Sequence, residues 1–435
     1  MRIAISILCF KPNTGGQQAL VEQLSQHLQE QGHDVVVVAR AATRVPRGRD
    51  YLFFTEPDTT LTVKGVPVTP LKFSRIWLPV LWFLGKCVVW APLQGLAVNL
   101  YEIVSRKSAR DAFAGRDIIH HIGEAPPLNG FAAAAAARYW RVPFVVQPVC
   151  HPYHVGDSPL DLRLLAKADR VLAHTEYEAS YLRRRSLRCP IDVVGNGIED
   201  RADGNAERFR AKFGLDGHFI LFIGRKDRQK GYFLLLDAFK ILRRQRPDIS
   251  LVCMGPPEST AKRQAIEGLI VLDFTSEELK HDALAACTCL CVPSVGESFG
   301  LVYMEAGRYC KPAVGRKVAA LEELLHDGVA AVLLGVPDVA CNSAMLSPKT
   351  LAAGLLKLLA DPKECRRIGE NCRAVSGKFL WAHVIKRFEA SYYQAMEDFK
   401  RKAARKTQNS RETTSRSKKS RGSPHCQKPS NQTDR

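Results

Sequence analysis

Apolar residues in this chain alternate between short unbroken runs and longer stretches where they recur every three or four positions. The first run, IAISILCF (3–10), has the character of a strand buried on both faces. KPNTGG follows, then QQALVEQLSQHLQEQG, in which Leu20, Leu24 and Leu28 stand four apart on one helical face and Gly32 marks the stop. HDVVVVA is the next buried strand. Strand, glycine turn, helix and strand in that order open a doubly wound parallel sheet. The alternation continues through DIIHHIG (117–123), the Ala-rich helix NGFAAAAAARYW, strand VPFVVQPV, helix LDLRLLAKA, strand RVLAHT, helix EYEASYLRRR and the short strand and turn PIDVVGNGI (190–198). After a polar stretch near 200–217 a second series starts: strand HFILFIGR, helix GYFLLLDAFKILRRQR, then strands ISLVCMG, LIVLDFT, CTCLCVPS and PAVG with helices between them. DVACNSAMLSPKTLAAGLLKLLADP holds a late helix, and FLWAHVIKRFEASYYQAMEDFKRK is a final one. The pattern predicts two α/β domains in series joined near residue 200, in keeping with a length of 435 residues.

One segment breaks the rhythm. Residues 76–104, IWLPVLWFLGKCVVWAPLQGLAVNLYEIV, contain Trp77, Trp82 and Trp90, with Lys86 as the single charge before Glu102. Lys72 and Arg75 precede it, and Arg106, Lys107 and Arg110 follow. Lys86, Pro79, Pro92, Gly85 and Gly95 disfavour a plain spanning helix. A partly inserted hairpin at a membrane surface fits the tryptophans and basic flanks; burial in the core is the alternative.

Charge is uneven. The net value is +19, and residues 401–435, with eleven Lys or Arg and two acids, carry +9 of it. This tail is nearly free of large apolar groups and is expected to be disordered, a solvated arm or a polybasic contact for anionic lipid or nucleic acid. The thirteen cysteines are scattered. Cys287, Cys289 and Cys291 alternate as small buried residues on a strand would, and no Cys-x2-Cys pair with histidines points to zinc. A reducing compartment is the expectation. MRIAISILCF reads as a first strand rather than a signal peptide.

Three places have chemistry in view. Gly15 and Gly16 sit between the first strand and first helix, where backbone can approach an anion. Arg225 closes a strand and Lys230 follows five residues later before a helix, so two cations converge where open α/β sheets bind ligands; both suit a diphosphate. In PSVGESFGLVYMEAG, Glu297 stands in the loop at a helix mouth, beside the N–H groups of Phe299 and Gly300, with Phe299 read as the start of the helix. Glu305, eight residues on, is expected on roughly the same side, and a carboxylate there suits a sugar diol.

Together these residues resemble the retaining glycosyltransferases of family 4. The matching features are Arg-x4-Lys at Arg225 and Lys230, Glu-x7-Glu at Glu297 and Glu305, Glu323 before the HDG turn at 326–328, NGI at 196–198, and the glycine pair Gly15-Gly16. The resemblance covers about residues 1–400. It implies the GT-B fold, two Rossmann-like doubly wound domains facing across a cleft. Residues 1–198 would form the acceptor-side domain, with 76–104 as its membrane-surface segment. Residues 199–378 would bind the nucleotide sugar, the helix 379–400 would cross back, and 401–435 would be the tail. Arg225 and Lys230 would hold the donor diphosphate, Glu297 the transferred sugar, and Glu305 the ribose diol. Phe299 and Gly300 would offer backbone to the donor, and Gly16, beside Gly15, would let backbone approach it. No metal or cofactor is expected.

The family's sugar-facing histidine would fall at Val149. His151 is the first candidate in its place, with His154, His120 and His121 as rivals; GPP replaces the family's glycine-rich turn, and Gly195 the proline before NG. The implied activity is transfer of a sugar from a nucleotide diphosphate donor to a hydroxyl, on a lipid-linked or cell-envelope glycan, at the inner face of a membrane in the cytoplasm; nucleic acid is not expected as a partner. A same-fold epimerase or a non-catalytic binding protein are the alternatives.

Overall fold

The computed structural model describes residues 1–11, 15–41, 61–153, 156–256, 265–273, 276–335 and 346–420; of 406, 407 and 409–420 it describes the backbone alone. Two sheets carry the chain. The first has eight strands: β1 (Arg2–Cys9), β2 (Asp34–Ala41), β3 (Leu61–Val63), β4 (Val66–Pro70), β5 (Ile118–Ile122), β6 (Phe144–Gln147), β7 (Arg170–Ala173) and β8 (Ile191–Val193). Their order is β3-β4-β2-β1-β5-β6-β7-β8, parallel except for the β3–β4 pair. Its helices are α1 (Gly16–Glu30), α2 (Leu78–Cys87), α3 (Gln94–Ala112), α4 (Asn129–Trp140), α5 (Pro159–Leu165) and α6 (Glu176–Arg183). The period-two rule is visible in its core: Ile3, Ile5 and Ile7 bury against one layer, and Ala4 against the other.

The second lobe opens with α7 (Ala206–Phe213). Its six parallel strands, β9 (Phe219–Ile223), β10 (Ser250–Met254), β11 (Leu269–Leu272), β12 (Cys289–Val292), β13 (Ala313–Arg316) and β14 (Val332–Leu334), run in the order β11-β10-β9-β12-β13-β14. Around them lie α8 (Tyr232–Gln245), α9 (Glu277–Ala286), α10 (Leu301–Arg308), α11 (Ala319–Leu325), α12 (Pro348–Leu359) and α13 (Pro362–Gly377). Cys287, Cys289 and Cys291 are buried, two of them on β12.

The last helix, α14 (Trp381–Ser420), returns to the first lobe. Trp381, Val384, Ile385, Phe388 and Tyr392 complete the core layer that α1 begins against β1 and β2. The chain therefore passes between the lobes twice, and the passages are joined: Ile198 N–H donates to the Phe379 carbonyl at 2.9 Å, and Trp381 N–H to the Ile198 carbonyl at 3.1 Å. Gly197 permits this closeness, since a Cβ there would lie 2.2 Å from the Trp381 ring.

Two expectations change. The composition predicts a disordered tail from 401, but α14 continues to Ser420. Its Lys, Arg, Ala, Gln and Glu residues are good helix formers, and the packed half of α14 supplies the costly nucleus. Lys402 to Asp169 extends the contact with the first lobe past residue 400. Residues 421–435 lie outside the described residues.

The segment 76–104 is neither wholly buried nor a span. It folds as a short turn (Arg75–Trp77), α2, a second turn (Ala91–Leu93) and the first part of α3. Leu81, Leu84, Cys87, Val98 and Tyr101 enter the core. Ile76, Trp82, Phe83, Val89, Trp90, Leu96 and Ile103 are exposed, Trp82 at 58% and Trp90 at 61%. No described helix is long and apolar enough to cross a membrane.

Candidate active site

The site starts at the carboxyl ends of β9 and β12, neighbours at the centre of the second sheet. The loops leaving them touch. Val295 N–H donates to the Gln229 carbonyl at 2.8 Å, and Gly231, at φ +73°, passes so near Pro293 that a Cβ would meet its carbonyl oxygen at 2.3 Å. This approach brings Lys230 Nζ to 2.6 Å from Glu297 Oε1, to which Ser294 Oγ also donates at 2.7 Å. The Glu297 side chain is nearly buried, and Lys230 is half-buried. Asp227 accepts the Lys230 backbone N–H at 2.8 Å and lies 3.2 Å from Arg225 Nε, which fixes the loop from within. The Arg225 guanidinium is 60% exposed and available to an anion.

Glu297 lies before α10 rather than on it, so the helical angle expected between it and Glu305 has no meaning. Phe299 likewise precedes α10, and its ring is buried against His174 and Phe379 at 6.0 and 4.9 Å between centroids. Phe299 can offer a ligand its backbone but not its side chain; Gly300 is the residue before the helix. Glu305, on α10, receives Lys280 Nζ on Oε1 at 3.0 Å, while Oε2 is buried without a hydrogen-bond partner. A buried carboxylate oxygen left open is costly unless a donor arrives. Burial works against the Lys280 ammonium, but Glu305 and Glu277 outweigh it and hold its pKa above the ordinary value.

Lys226, next to Arg225, is not a solvated cation of the loop. It is 2% exposed, and its Nζ donates to the carbonyls of Gly255 (2.5 Å) and Leu272 (3.0 Å) and to Asp273 Oδ1 (2.7 Å). A cation inside the site thus pins the ends of β9, β10 and β11. Nothing in the spacing distinguishes it from its exposed neighbours; only the tertiary approach of three strand ends does.

Across the cleft, a groove is lined by His151, Pro152, Tyr153 and Tyr177 from the first lobe and by Val295, Gly296, Glu297, Val318, Ala319 and Ala320 from the second. His151 and Glu297 therefore face one space. The His151 loop leaves β6, and α1 begins beyond β1 of the same parallel sheet, so Gly15 and Gly16 lie at that same edge. Both glycines are exposed, and a Cβ on Gly16 would meet nothing within 4 Å. The loop is held in unusual backbone: Val149, where the family has its histidine, has φ +52°, and Tyr153 +68°.

What holds that loop is Glu178, which the sequence reading missed. One of its oxygens accepts Cys150 N–H at 2.7 Å, and the other accepts His174 N–H at 2.7 Å. Burial pushes the Glu178 carboxyl up to about 7. His174, also missed, is buried with both ring nitrogens unpartnered; burial, then the neighbouring His151, brings its pKa down to about 3. Glu323 ties the lobes together by accepting the backbone N–H groups of Glu176 and Tyr177 at 2.8 and 2.6 Å. The other histidine candidates lie elsewhere. His120 and His121 are fully buried on β5, bonded to Tyr392 OH at 2.8 Å and Ser6 Oγ at 3.2 Å, because strand register turns them into the core. His154 lies outside the described residues. No group of three His, Cys, Asp or Glu that could hold a metal is present among the described residues.

Comparison with known proteins places this geometry. The family described as Glycosyltransferase Family 4 matches residues 14–202, and that described as Glycosyl transferases group 1 matches 204–375. The D-inositol 3-phosphate glycosyltransferase of Segniliparus rotundus is 28% identical over 79% of this chain and 84% of its own. That of Frankia alni is 28% identical over 88% and 95%. Among solved structures, sucrose-phosphate synthase from Thermosynechococcus elongatus superposes with a TM-score of 0.68 at 19% identity, over 90% of this chain and 98% of its own. The Anabaena HepE protein in complex with UDP and glucose gives 0.63 at 18% identity, over 91% and 100%. With both lobes matched in order and the two sheets arranged as in these structures, the chain belongs to the family 4, group 1 glycosyltransferases of GT-B fold, enzymes that use a nucleotide-sugar donor.

Proposed function

We propose that the enzyme transfers a sugar with retention of anomeric configuration to a hydroxyl of a lipid-linked or cell-envelope glycan, at the inner face of a membrane. The observation that carries the donor half of this reading is the Lys230–Glu297 pair, together with the open oxygen of Glu305 on α10. Arg225 and Lys230 would hold the diphosphate and stabilise the charge that develops as it leaves; such preorganised charge is usually the largest single contribution to a rate. Lys230 would then bridge Glu297 and phosphate. Glu297 would accept hydroxyls of the sugar, and the buried Oε2 of Glu305 a ribose hydroxyl. His151 would face the sugar from the other lobe, and Gly16 would let backbone approach the donor. The reading gives no metal a role, since the two cations supply the positive charge.

The acceptor half rests on the exposed hairpin of α2 and α3, with basic residues at both ends. The names of the relatives favour a second acceptor, a small phosphorylated polyol such as the inositol phosphate they act on. One assay separates these. The enzyme is incubated with UDP-, GDP- and ADP-sugars, alone, with membrane extract and with inositol phosphate. Release of nucleoside diphosphate that depends on membrane extract supports the lipid acceptor, and release that depends on inositol phosphate replaces it. An isomerised donor would make the protein an epimerase, and no change in any donor a binding protein.

A further inference from the structure

Next to the exposed hairpin lies a groove with no task in the transfer reaction. It has a volume of about 510 Å³ and runs between α3 and the end of α4. Its lining joins the apolar Trp77, Ile103 and Trp140 to the cations Arg106, Lys107 and Arg110. Asp111 is the only acid among its lining residues. Arg106 and Lys107 are exposed, with no ion pair among the described residues. The rim is built: the Arg110 guanidinium stacks 3.7 Å from the centre of the Tyr139 ring, and Trp140 Nε1–H donates to the Arg110 carbonyl at 3.0 Å.

Leu96, Ile103, Lys107 and Arg110 fall on one outward face of α3, by the period of the helix. Along that face, exposed aliphatic side chains give way to cations. This is the order met on passing from acyl chains to phosphates at a membrane surface, and tryptophan favours the boundary. We propose that the groove binds the phosphate of an anionic phospholipid headgroup while Trp82, Phe83 and Trp90 enter the acyl region. Membrane contact would then be made at a defined headgroup site and not by diffuse charge alone. The proposal rests on the membrane reading above and deepens it. An acidic protein or a nucleic acid could meet the three cations, but would leave the adjoining apolar face in water.

The test is flotation of the full-length protein with vesicles of phosphatidylcholine alone and of phosphatidylcholine with phosphatidic acid. The wild type is expected to float with the anionic vesicles. The double variant Arg106→Gln/Lys107→Gln is expected to bind them about thirty-fold more weakly, the worth of two cations near a lipid surface. Its melting temperature should be unchanged, since both residues are exposed. Lys418→Gln/Lys419→Gln, the same loss of charge on the tail, should have a far smaller effect. Equal losses from the two double variants, or none from Arg106→Gln/Lys107→Gln, overturn the groove while leaving membrane binding intact. Displacement by inorganic phosphate at the headgroup concentration overturns the lipid as its source. A wild type that floats with neither vesicle sinks the membrane reading and this proposal together.

Discussion

The two walls of the cleft are prepared in opposite ways. On the second lobe the charges are already in place and paired: Lys230 with Glu297, Lys280 with Glu305, Lys226 with the ends of β10 and β11. On the first lobe the facing loop carries left-handed backbone at Val149 and Tyr153, pinned by a buried carboxylate, beside a neutral buried histidine. The part of a donor common to all such reactions, a nucleoside diphosphate, needs fixed charge in fixed places. The part that differs, the acceptor, needs a shaped surface. In the proposed reaction, rigid electrostatics on one wall and backbone shape on the other would divide that labour.

Lys230 tests the charged wall most severely. Lys230→Ala should lower turnover, read as release of nucleoside diphosphate, by about 10²–10³, the usual effect of losing one preorganised charge-stabilising group. The fold should persist, with the melting temperature lowered because Glu297 loses the ammonium that pairs with it. Near-normal turnover would mean the wall is not electrostatic.

The two glutamates sharpen the comparison within that wall. Glu297→Gln should lower kcat with little change in donor KM. Glu305→Gln should raise donor KM by about tenfold, one hydrogen bond to a charged group, with kcat nearly kept. Lys280→Met should copy Glu305→Gln, since Lys280 acts through Glu305. Identical defects in the Glu297 and Glu305 variants would erase the division of roles.

The first lobe should respond to pH instead. His174 is held at about 3 in the folded chain, against an ordinary value of 6.5. Its contribution to stability is complete above 6.5 and is lost as pH falls from there toward 3, because the unfolded chain takes the proton and the folded chain does not. The slope is about 1.4 kcal/mol per pH unit. His120 and His121, held at about 3 and 4 by burial, add in the same direction. Glu178 runs the other way: with its value raised from 4.5 to about 7, stability is complete below 4.5 and declines as pH rises through 7. Melting curves across pH should flatten on the acid side in His174→Asn. A slope unchanged by that substitution would remove His174 from the account.

The smallest effect is expected at the seam. Glu323→Ala removes two hydrogen bonds between the lobes and should raise donor KM by about threefold, the worth of one modest net hydrogen bond, without altering the pH profile. No change at all would mean that the lobes meet without this contact in solution.

Most of this architecture was legible because hydrophobic period separates buried strands from amphipathic helices. NGFAAAAAARYW became α4 to the residue. The missed elements have sparse patterns. In α7 only Phe209 is fully buried, and α13 buries little beyond Ile368 and Cys372, so neither shows a stripe. In the site, Arg225, Lys230, Glu297 and Glu305 stand at recognisable spacings, but Lys226, Glu178 and Glu323 act on backbone groups distant in sequence. Glu178 did carry a signal. Thr175 and Glu178 have the spacing of a capping box, and Thr175 does accept the Glu178 N–H at 3.2 Å. The glutamate, however, reaches back to His174 and across to Cys150. No local rule foretells that second bond.

The paired passages at Ile198 and Phe379 have a kinematic meaning. Two lobes joined by one strand could swivel about many axes. Two segments hydrogen-bonded side by side, with Trp381 wedged over Gly197 and α14 packed along the first lobe, would resist twisting more than a single strand does. Any closure of the lobes would then be held close to one arc. Alignment of the sugar with its acceptor is thereby transferred from chance encounter to the mechanics of a door, at a point remote from the reacting atoms.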